Sequence, residues 1–497
     1  MAAEEINTDS PRGRAILLLN ILKHDLEEHL LTVDAYLQGD HPDPYMPEMA
    51  DDEYKLLAKR AIDNKVPLLV RAPVQGCYVD GFRAGRQAAG KSDHATEIVN
   101  DPSWDHWQRS RLDARQTAIY LAAVAYGHSF TVTEIGDDGK TYTRGLSPLR
   151  TSAIYDDPAS DEDPVAAIHV SRWPTAKRPG KARFWDGPIE YEVSFTDDYD
   201  KLRLEEVGDT GADECPVTRF AIEVDLDGRT HGIVEEIIPL QDRLNQTAFD
   251  LLIAQTYGSF KVRTVTGMAP PMVQKPIFDE DGHVIGFEPE LDDNGQPKPL
   301  RVQVNGKQML YAEDPEVEFG TLDETPLDGY ISALKDVSER LSAATQTPPT
   351  YLLGQIANLS AEALNAAETT FNRKVGQYQH AFGEAWERVF RLAARLEGDT
   401  ARAEDFHGEV VWRDMESRSM AQDADALGKL AQNLGIPARG LWPRVRGVTQ
   451  AELTRWEELA EEGDAELQMA EALTRASGGR STRSIPQPTR SGAQDAA

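Results

Sequence analysis

Through the first 65 residues the apolar positions fall three and four apart: Ile16, Leu19, Leu22 and Leu26, then Leu30, Val33 and Leu37. That spacing predicts helices. Gly39 to Pro47, with Pro42, Pro44 and Pro47, reads as a loop. Glu53 to Asn64 resumes the helical pattern through Tyr54, Leu57, Ala58 and Ile62. Short strands are expected at Val66–Val70 and Cys77–Phe82, and one helix across Trp104–Ala125. From there to about residue 235 the period changes to two. Phe130–Ile135 and Lys140–Arg144 flank Gly136-Asp-Asp-Gly139, the signature of a hairpin. Further strands are expected at Ala166–Ser171, Ile189–Phe195, Arg219–Asp225 and Thr230–Val234.

Helical spacing returns at Leu240, Leu244, Ala248, Leu251 and Leu252 and runs to about Ser259. A turn-rich strand region follows from Lys261 to about Asp323. Ile331, Leu334, Val337 and Leu341 then predict another helix, closed by a Pro-rich interruption from Thr345 to Leu359. The longest stripe comes next: Leu364, Ala367, Phe371, Val375, Tyr378, Phe382, Trp386, Val389, Ala393 and Leu396. With Ser360 as N-cap and Glu362 in the first turn, it predicts one helix of about 37 residues, roughly 55 Å long. Rods of that length usually pack in bundles or against copies of themselves. Helices are also expected over Ser419–Leu434 and Thr449–Ala476, with a disordered tail from Ser477. The fold class is α+β and mostly helical.

Charge narrows the partners. The 497 residues carry 52 Lys+Arg against 84 Asp+Glu, a formal net charge of −32. Affinity for phosphates comes from Lys and Arg displacing counterions, so a surface gripping nucleic acid all over is excluded. At 40% hydrophobic, with 8 Trp, the chain has enough apolar mass for cores. Its length suggests roughly three or four domains. Cys77 and Cys215 are too few and too far apart for a disulfide framework or a zinc site, so a reducing compartment is the default. No run approaches the ~20 apolar residues of a membrane helix. The start, with Glu4, Glu5 and Asp9, does not read as a secretory signal.

One motif matches by letter. Gly85-Arg-Gln-Ala-Ala-Gly90-Lys91-Ser92 is the phosphate-cradling G-x-x-x-x-G-K-[ST]. Its chemistry needs a buried strand running into the glycines and a helix opening at the Lys. The preceding Val79–Ala84 has only Val79 and Phe82 large and apolar, and Pro102 follows soon after. A flexible loop is the competing reading. The histidines form no metal-spaced pair, and His24 and His29 lie on different helix faces. The acidic clusters at Asp156-Asp157, Asp161–Asp163 and Asp279–Asp281 lack the calcium-loop pattern and read as solvated turns. No G-x-S-x-G elbow occurs.

The order of elements carries more. An α+β half, a helix, a small β-rich insertion, a returning helix, a Pro-rich loop, one very long helix and a helical C-terminus follow in sequence. Local blocks keep the same order. They are Tyr36-Leu-Gln-Gly39-Asp-His41, Ala61-Ile-Asp-Asn64, Val79-Asp-Gly-Phe-Arg83 and Glu236–Asn245. Pro349-Thr-Tyr-Leu-Leu-Gly354, Asn358–Leu364, Trp412-Arg-Asp414 and Ala421–Pro437 continue the series. Together they resemble the portal proteins of tailed bacteriophages, especially the siphophage family, over about Tyr36 to Leu453.

The resemblance implies a non-catalytic ring, typically of twelve subunits, at one capsid vertex, through which double-stranded DNA is packaged and ejected. It implies a wing over residues 1–239, stem helices at 240–260 and 326–345, and a clip at 261–325. A tunnel loop would span 346–359, the long helix and its return to the wing 360–415, and a helical crown 416–476. Tunnel-loop residues facing DNA would be Thr347, Pro348, Pro349, Thr350, Tyr351, Leu352 and Gly354. Stem positions would be Leu244, Ala248, Leu251, Ile331, Leu334 and Val337. Implied partners are further copies of the chain, the large terminase subunit, a head–tail adaptor and the major capsid or scaffold protein. No cofactor, metal or membrane is implied. The location would be the virion's portal vertex, and the host cytoplasm during assembly. A P-loop nucleotide hydrolase using Lys91 and Ser92, or a capsid or adaptor protein without a channel, are the alternatives.

Overall fold

The computed structural model describes residues 9–47, 52–85, 102–161, 163–197, 199, 201–258, 263–266, 272–278, 283–292, 295–298, 318–321, 326–354, 361–413, 420–442, 445, 448, 452–453, 455–460 and 462. Its first elements are α1 (Pro11–Asp25), a π-helical turn (Leu26–Leu30), α2 (Leu31–Gln38), α3 (Asp52–Ala61), α4 (Val66–Gln75) and β1 (Val79–Arg83). Then come α5 (Pro102–Arg109), α6 (Leu112–Tyr126), β2 (His128–Ile135), β3 (Thr141–Leu146) and β4 (Thr151–Ile154). Strands β5 (Ala166–Arg172), β6 (Gly180–Asp186), β7 (Ile189–Phe195), β8 (Arg203–Asp209) and β9 (Val217–Ala221) follow. Helix α7 (Ile233–Gly258) leads to β10 (Arg263–Thr266), β11 (Gln274–Phe278), β12 (Val284–Pro289) and β13 (Glu318–Thr321). The remainder is α8 (Asp328–Ala344), α9 (Pro349–Leu353), α10 (Ala361–Leu396), α11 (Thr400–Ala403), β14 (Glu409–Trp412), α12 (Met420–Leu434) and α13 (Ala438–Leu441).

The contacts divide the described residues into two compact units. The larger uses the chain up to His41, from Asn64 to Gln241, and from Ser338 onward; the smaller uses Pro42–Asp63 and Asp242–Val337. In the larger unit, β4-β5-β6-β7-β8 form an antiparallel sheet and β3-β2-β9 a second. Alternation explains the core: Ile168, Val170, Phe184, Val193 and Phe195 point from the first sheet onto Ala15, Leu18, Leu19 and Leu22 of α1. Arg14 ties the same helix to the sheet through both oxygens of Asp186, each at 2.7 Å. The β2–β3 hairpin turns where Gly136-Asp-Asp-Gly139 predicts, with Ile135 opposite Thr141. In the smaller unit, Leu57, Ala58 and Ala61 of α3 pack on Phe249 of α7. That contact joins Pro42–Asp63 to α7 within the smaller unit.

Several expectations are corrected. Val66–Val70 is the first half of α4, not a strand. Its apolar run is buried on most sides, and Pro67 sits in the first turn, where a missing N–H costs nothing. Trp104–Ala125 is two helices, because Arg111 adopts a left-handed φ of 55° between them. Thr230–Val234 is no strand: α7 opens at Ile233 and carries Pro239 inside it. Strand β9 ends at Ala221, leaving Val224 and Thr230 as a lone bridge. The pattern also missed β4, β6 and β8. Strand β8 shows why, since Arg203, Glu205, Glu206 and Val207 are all exposed on a sheet edge and offer no alternation.

Candidate functional site

The long helix α10 organises the site. From Ala361 to Leu396 it spans 36 residues, as the stripe predicts, while the N-cap position Ser360 lies outside the described residues. Its C-terminal half is set in an aromatic core. Trp386 meets Trp107 edge-on at 4.8 Å and Phe220 at 4.7 Å, and its indole N–H donates to the Tyr120 hydroxyl at 2.6 Å. Phe382 stacks on Tyr120 at 4.5 Å, and Phe390 packs on Phe82. Arg388, buried, donates to the carbonyls of Cys215 and Val217 and pairs with Asp163, while Arg395 pairs with Glu214 at 2.6 Å. Just past the helix, Glu397 accepts from Thr141 and pairs with Arg109 and Arg402.

The other half of α10 meets the turn that ends α8. Backbone N–H groups of Thr345 and Thr347 donate to the carbonyls of Leu341 and Ser342, each at 3.0 Å. Gln346 takes a left-handed φ of 51°, the conformation that closes a helix C-terminus. The Ser342 hydroxyl donates to the Thr347 carbonyl, and the Thr345 hydroxyl to Leu341. Into this turn reaches Lys374 of α10, only 8% exposed. Its ammonium donates to the Thr345 carbonyl at 2.6 Å and lies 5.5 Å from the Tyr378 ring. Burial pulls the ammonium down to about 8, against the attraction of Glu236. A cavity of about 190 Å³ beside it is lined by Glu223, His231, Glu236, Gln346 and Gln377, among others. One turn earlier on α10, Phe371 meets the Tyr351 ring of α9 edge-on at 5.7 Å.

The residues expected to face DNA therefore divide. Thr347 is 2% exposed, Pro348 is buried, and Leu352 is 8% exposed, so in this conformation they form the inner side of the turn. Pro349 and Thr350 are half-buried, Tyr351 is 47% exposed, and Gly354 is exposed with a φ of 63°. Among the stem positions Leu244 and Val337 are buried, Ala248, Leu251 and Leu334 are half-buried, and Ile331 is exposed. Pattern reading missed Lys374 and Gln346. The available signal was a lysine inside the apolar stripe, between Phe371 and Tyr378.

Other candidates fare less well. In the Gly85–Ser92 motif, residues 86–92 lie outside the described residues. What is described does not suit a phosphate loop: β1 pairs only with β14, antiparallel, and the Gly85 N–H donates to the Asp405 carboxylate at 2.6 Å. That amide already holds an anion belonging to the chain itself. A larger cleft of about 690 Å³ runs between Leu22 and Leu30 on one side and Phe130, Ile154 and Arg219 on the other. Within it His128 is held down to about 4 by burial. Cys77 and Cys215 are both free and buried, their thiols pushed up to about 12 by desolvation. Among the described residues no group of His, Cys, Asp or Glu could hold a metal, and no helix is long and apolar enough to cross a membrane.

An α+β fold built on one long helix with a structured turn before it belongs to a class that the fold alone does not name. Its sequence says which: residues 18–466 match the family described as phage portal protein, SPP1 Gp6-like, and the chain belongs to that family. It is a structural portal subunit, a component of a phage virion. Portal function brings with it DNA packaging, DNA ejection and the joining of head to tail. The portal protein of Mycobacterium phage L5 is 25% identical over 76% of this chain and 75% of its own length. That of Mycobacterium phage D29 is 24% identical over 79% of each. A solved chain from the virion of a native gene transfer agent particle aligns with 82% of this chain and 97% of its own length. It is 12% identical, with a TM-score of 0.40. Neither alternative, a nucleotide hydrolase or a channel-less capsid or adaptor protein, is favoured by this membership.

Proposed function

We propose that the chain assembles into a ring of about twelve copies with an axial channel, and that the turn around α9 faces double-stranded DNA in that channel. In this reading the wing is 1–239, the stem 240–260 with 326–345, and the clip 261–325. The tunnel loop is 346–359, the long helix and its return 360–415, and the crown 416–476. The observation that carries it is α9 itself. It is a short helix with Tyr351 exposed, Thr350 half-buried beside it and Gly354 exposed at its C-cap, seated on α10 through Phe371. Thr347, Pro348, Pro349 and Leu352 give the turn its shape from behind. A conduit needs contact that ignores sequence and does not hold its cargo. Exposed aromatic and hydroxyl groups supply contact without the charge pairing that would arrest a polyanion.

The net charge of −32 per chain fits the same role, because a ring of about twelve would carry roughly −400 formally. Salt screens that field beyond about 8–10 Å, so it repels close approach without barring entry. The large terminase subunit and later the head–tail adaptor dock on the clip, and the major capsid or scaffold protein contacts the wing. Assembly takes place in the host cytoplasm, without catalysis by this chain. Electron microscopy of the purified full-length chain tests the reading directly. Rings of about twelve with an axial hole are expected, whereas monomers or compact dimers across a range of salt concentrations would overturn it.

A further inference from the structure

A lysine ammonium is rarely buried, since desolvation disfavours the charged form. Lys374 is buried on the apolar stripe of α10, and its ammonium hydrogen-bonds a backbone carbonyl at 2.6 Å rather than any carboxylate. That carbonyl, Thr345, belongs to the residue just past the end of α8, where helix carbonyls point outward and attract a cation. The turn receiving it contains Gln346, which carries a side chain in the left-handed region where glycine is usual. Beyond the turn α9 is only five residues long and touches α10 through Tyr351 on Phe371. A helix this short has little stability of its own. Its place depends on the Tyr351 contact and on the turn leading into it, and Lys374 holds that turn.

We propose that Lys374 is the positioning residue of the channel-facing turn: its bond to the Thr345 carbonyl latches α9 to α10. The latch is a single charge-assisted hydrogen bond, beside a polar cavity of about 190 Å³ able to admit water to both partners. It can therefore open without disturbing the aromatic core around Trp386. Opening would loosen the segment from Thr345 to Gly354 from α10 while α10 stays seated and the turn keeps its bonds to Leu341 and Ser342 of α8. The same helix uses a weaker form of this contact further along, where the Gln379 amide donates to the Gly76 carbonyl at the end of α4. That contact is neutral.

This inference rests on the channel-facing reading only for its consequence on DNA, and the test separates the two. Hydrogen exchange is measured on full-length wild type, Lys374→Met and Lys374→Arg. Loss of a hydrogen bond to a charged donor predicts at least about tenfold faster exchange for the amides of Thr345–Gly354 in Lys374→Met. Amides of Phe382–Phe390 should exchange as in wild type, and Lys374→Arg should return the turn to within about threefold of wild type. Unchanged exchange at Thr345–Gly354 would overturn the latch, as would faster exchange spread equally over Phe382–Phe390. Should Lys374→Met not fold, Lys374→Gln makes the same comparison, with a polar end too short to reach the carbonyl. DNA filling of heads assembled with Lys374→Met is the second readout. A loosened turn with wild-type filling supports the latch and counts against the channel-facing assignment. A loosened turn with reduced filling of normally assembled heads supports both.

Discussion

The two halves of α10 solve the problem of anchoring a helix in opposite ways. From Phe382 to Phe390 the inward face of the helix is dry: Phe382, Trp386 and Val389 have no exposure, and neighbouring rings come from α5, α6, β1 and β9. From Phe371 to Gln379 the buried Phe371, Val375 and Tyr378 are joined by side chains reaching for carbonyls at the ends of two other helices. Dispersion and apolar burial are summed over many atoms and do not switch. A hydrogen bond at the edge of a wet cavity can. One end of the helix is therefore a fixed mount, and the proposed latch would make the other adjustable, beside the turn that carries α9.

Substitutions can break this contrast, and the largest effect belongs to the dry end. Trp386→Ala should cost about 3–5 kcal/mol, since it opens a cavity and strands the Tyr120 hydroxyl. Chemical denaturation of the purified chain reads it, and a loss under 1 kcal/mol would show that this half is not the mount. Acid tests the same end. His106 touches Phe390 edge-on and is buried between the hydroxyls of Thr141 and Thr143, both at 2.8 Å. Burial holds its imidazole down to about 4, against an ordinary 6.5. The folded state thus binds its proton less readily than the unfolded chain. The stability His106 contributes is complete above pH 6.5 and is lost as pH falls toward 4, by roughly 3 kcal/mol in all. Denaturation midpoints followed from pH 7 to 4 should fall in wild type and fall less steeply in a His106→Gln variant.

At the other end the expected effects shrink. A Cβ added at Gly76 would lie 2.6 Å from Cγ1 of Val375, so Gly76→Ala forces α4 and α10 apart. Overpacking of this kind costs about 1–3 kcal/mol. The thermal midpoint should drop accordingly, and no change would mean the contact gives freely. The smallest effect has the opposite sign. Gln346→Gly removes the cost of a side chain at φ 51°, and should stabilise the turn by about 0.5–1 kcal/mol. A rise in midpoint is expected, and a fall would show that the Gln346 side chain contributes more than its backbone costs.

The parts of this arrangement differ in how far they can be read from sequence. The run from Leu364 to Leu396, with Ser360 read as its N-cap, fixes a helix to within a residue of its observed limits, because an apolar stripe of ten positions has one period. The β2–β3 hairpin is equally legible from Gly136-Asp-Asp-Gly139. Helix α4 is not, since Val66-Pro-Leu-Leu-Val is apolar on every side and periodicity cannot tell a buried helix from a buried strand. The break at Arg111 is hidden because a non-glycine residue gives no sign of a left-handed φ. Lys374 is the plainest case. A lysine in sequence reads as solvated surface, and what overrides that reading is a carbonyl 29 positions away.

Local pattern thus determined the long helix, the hairpin, the α+β class and the order of elements that marks a portal subunit. These depend on periodicity and turn chemistry, which act over a few residues. Tertiary structure alone decided that Pro42–Asp63 joins Phe249, that Thr347 and Leu352 turn inward while Tyr351 stays out, and that a buried ammonium closes the end of α8. Each of those outcomes depends on desolvation, and how much water a group loses is set by neighbours that only the folded chain brings near.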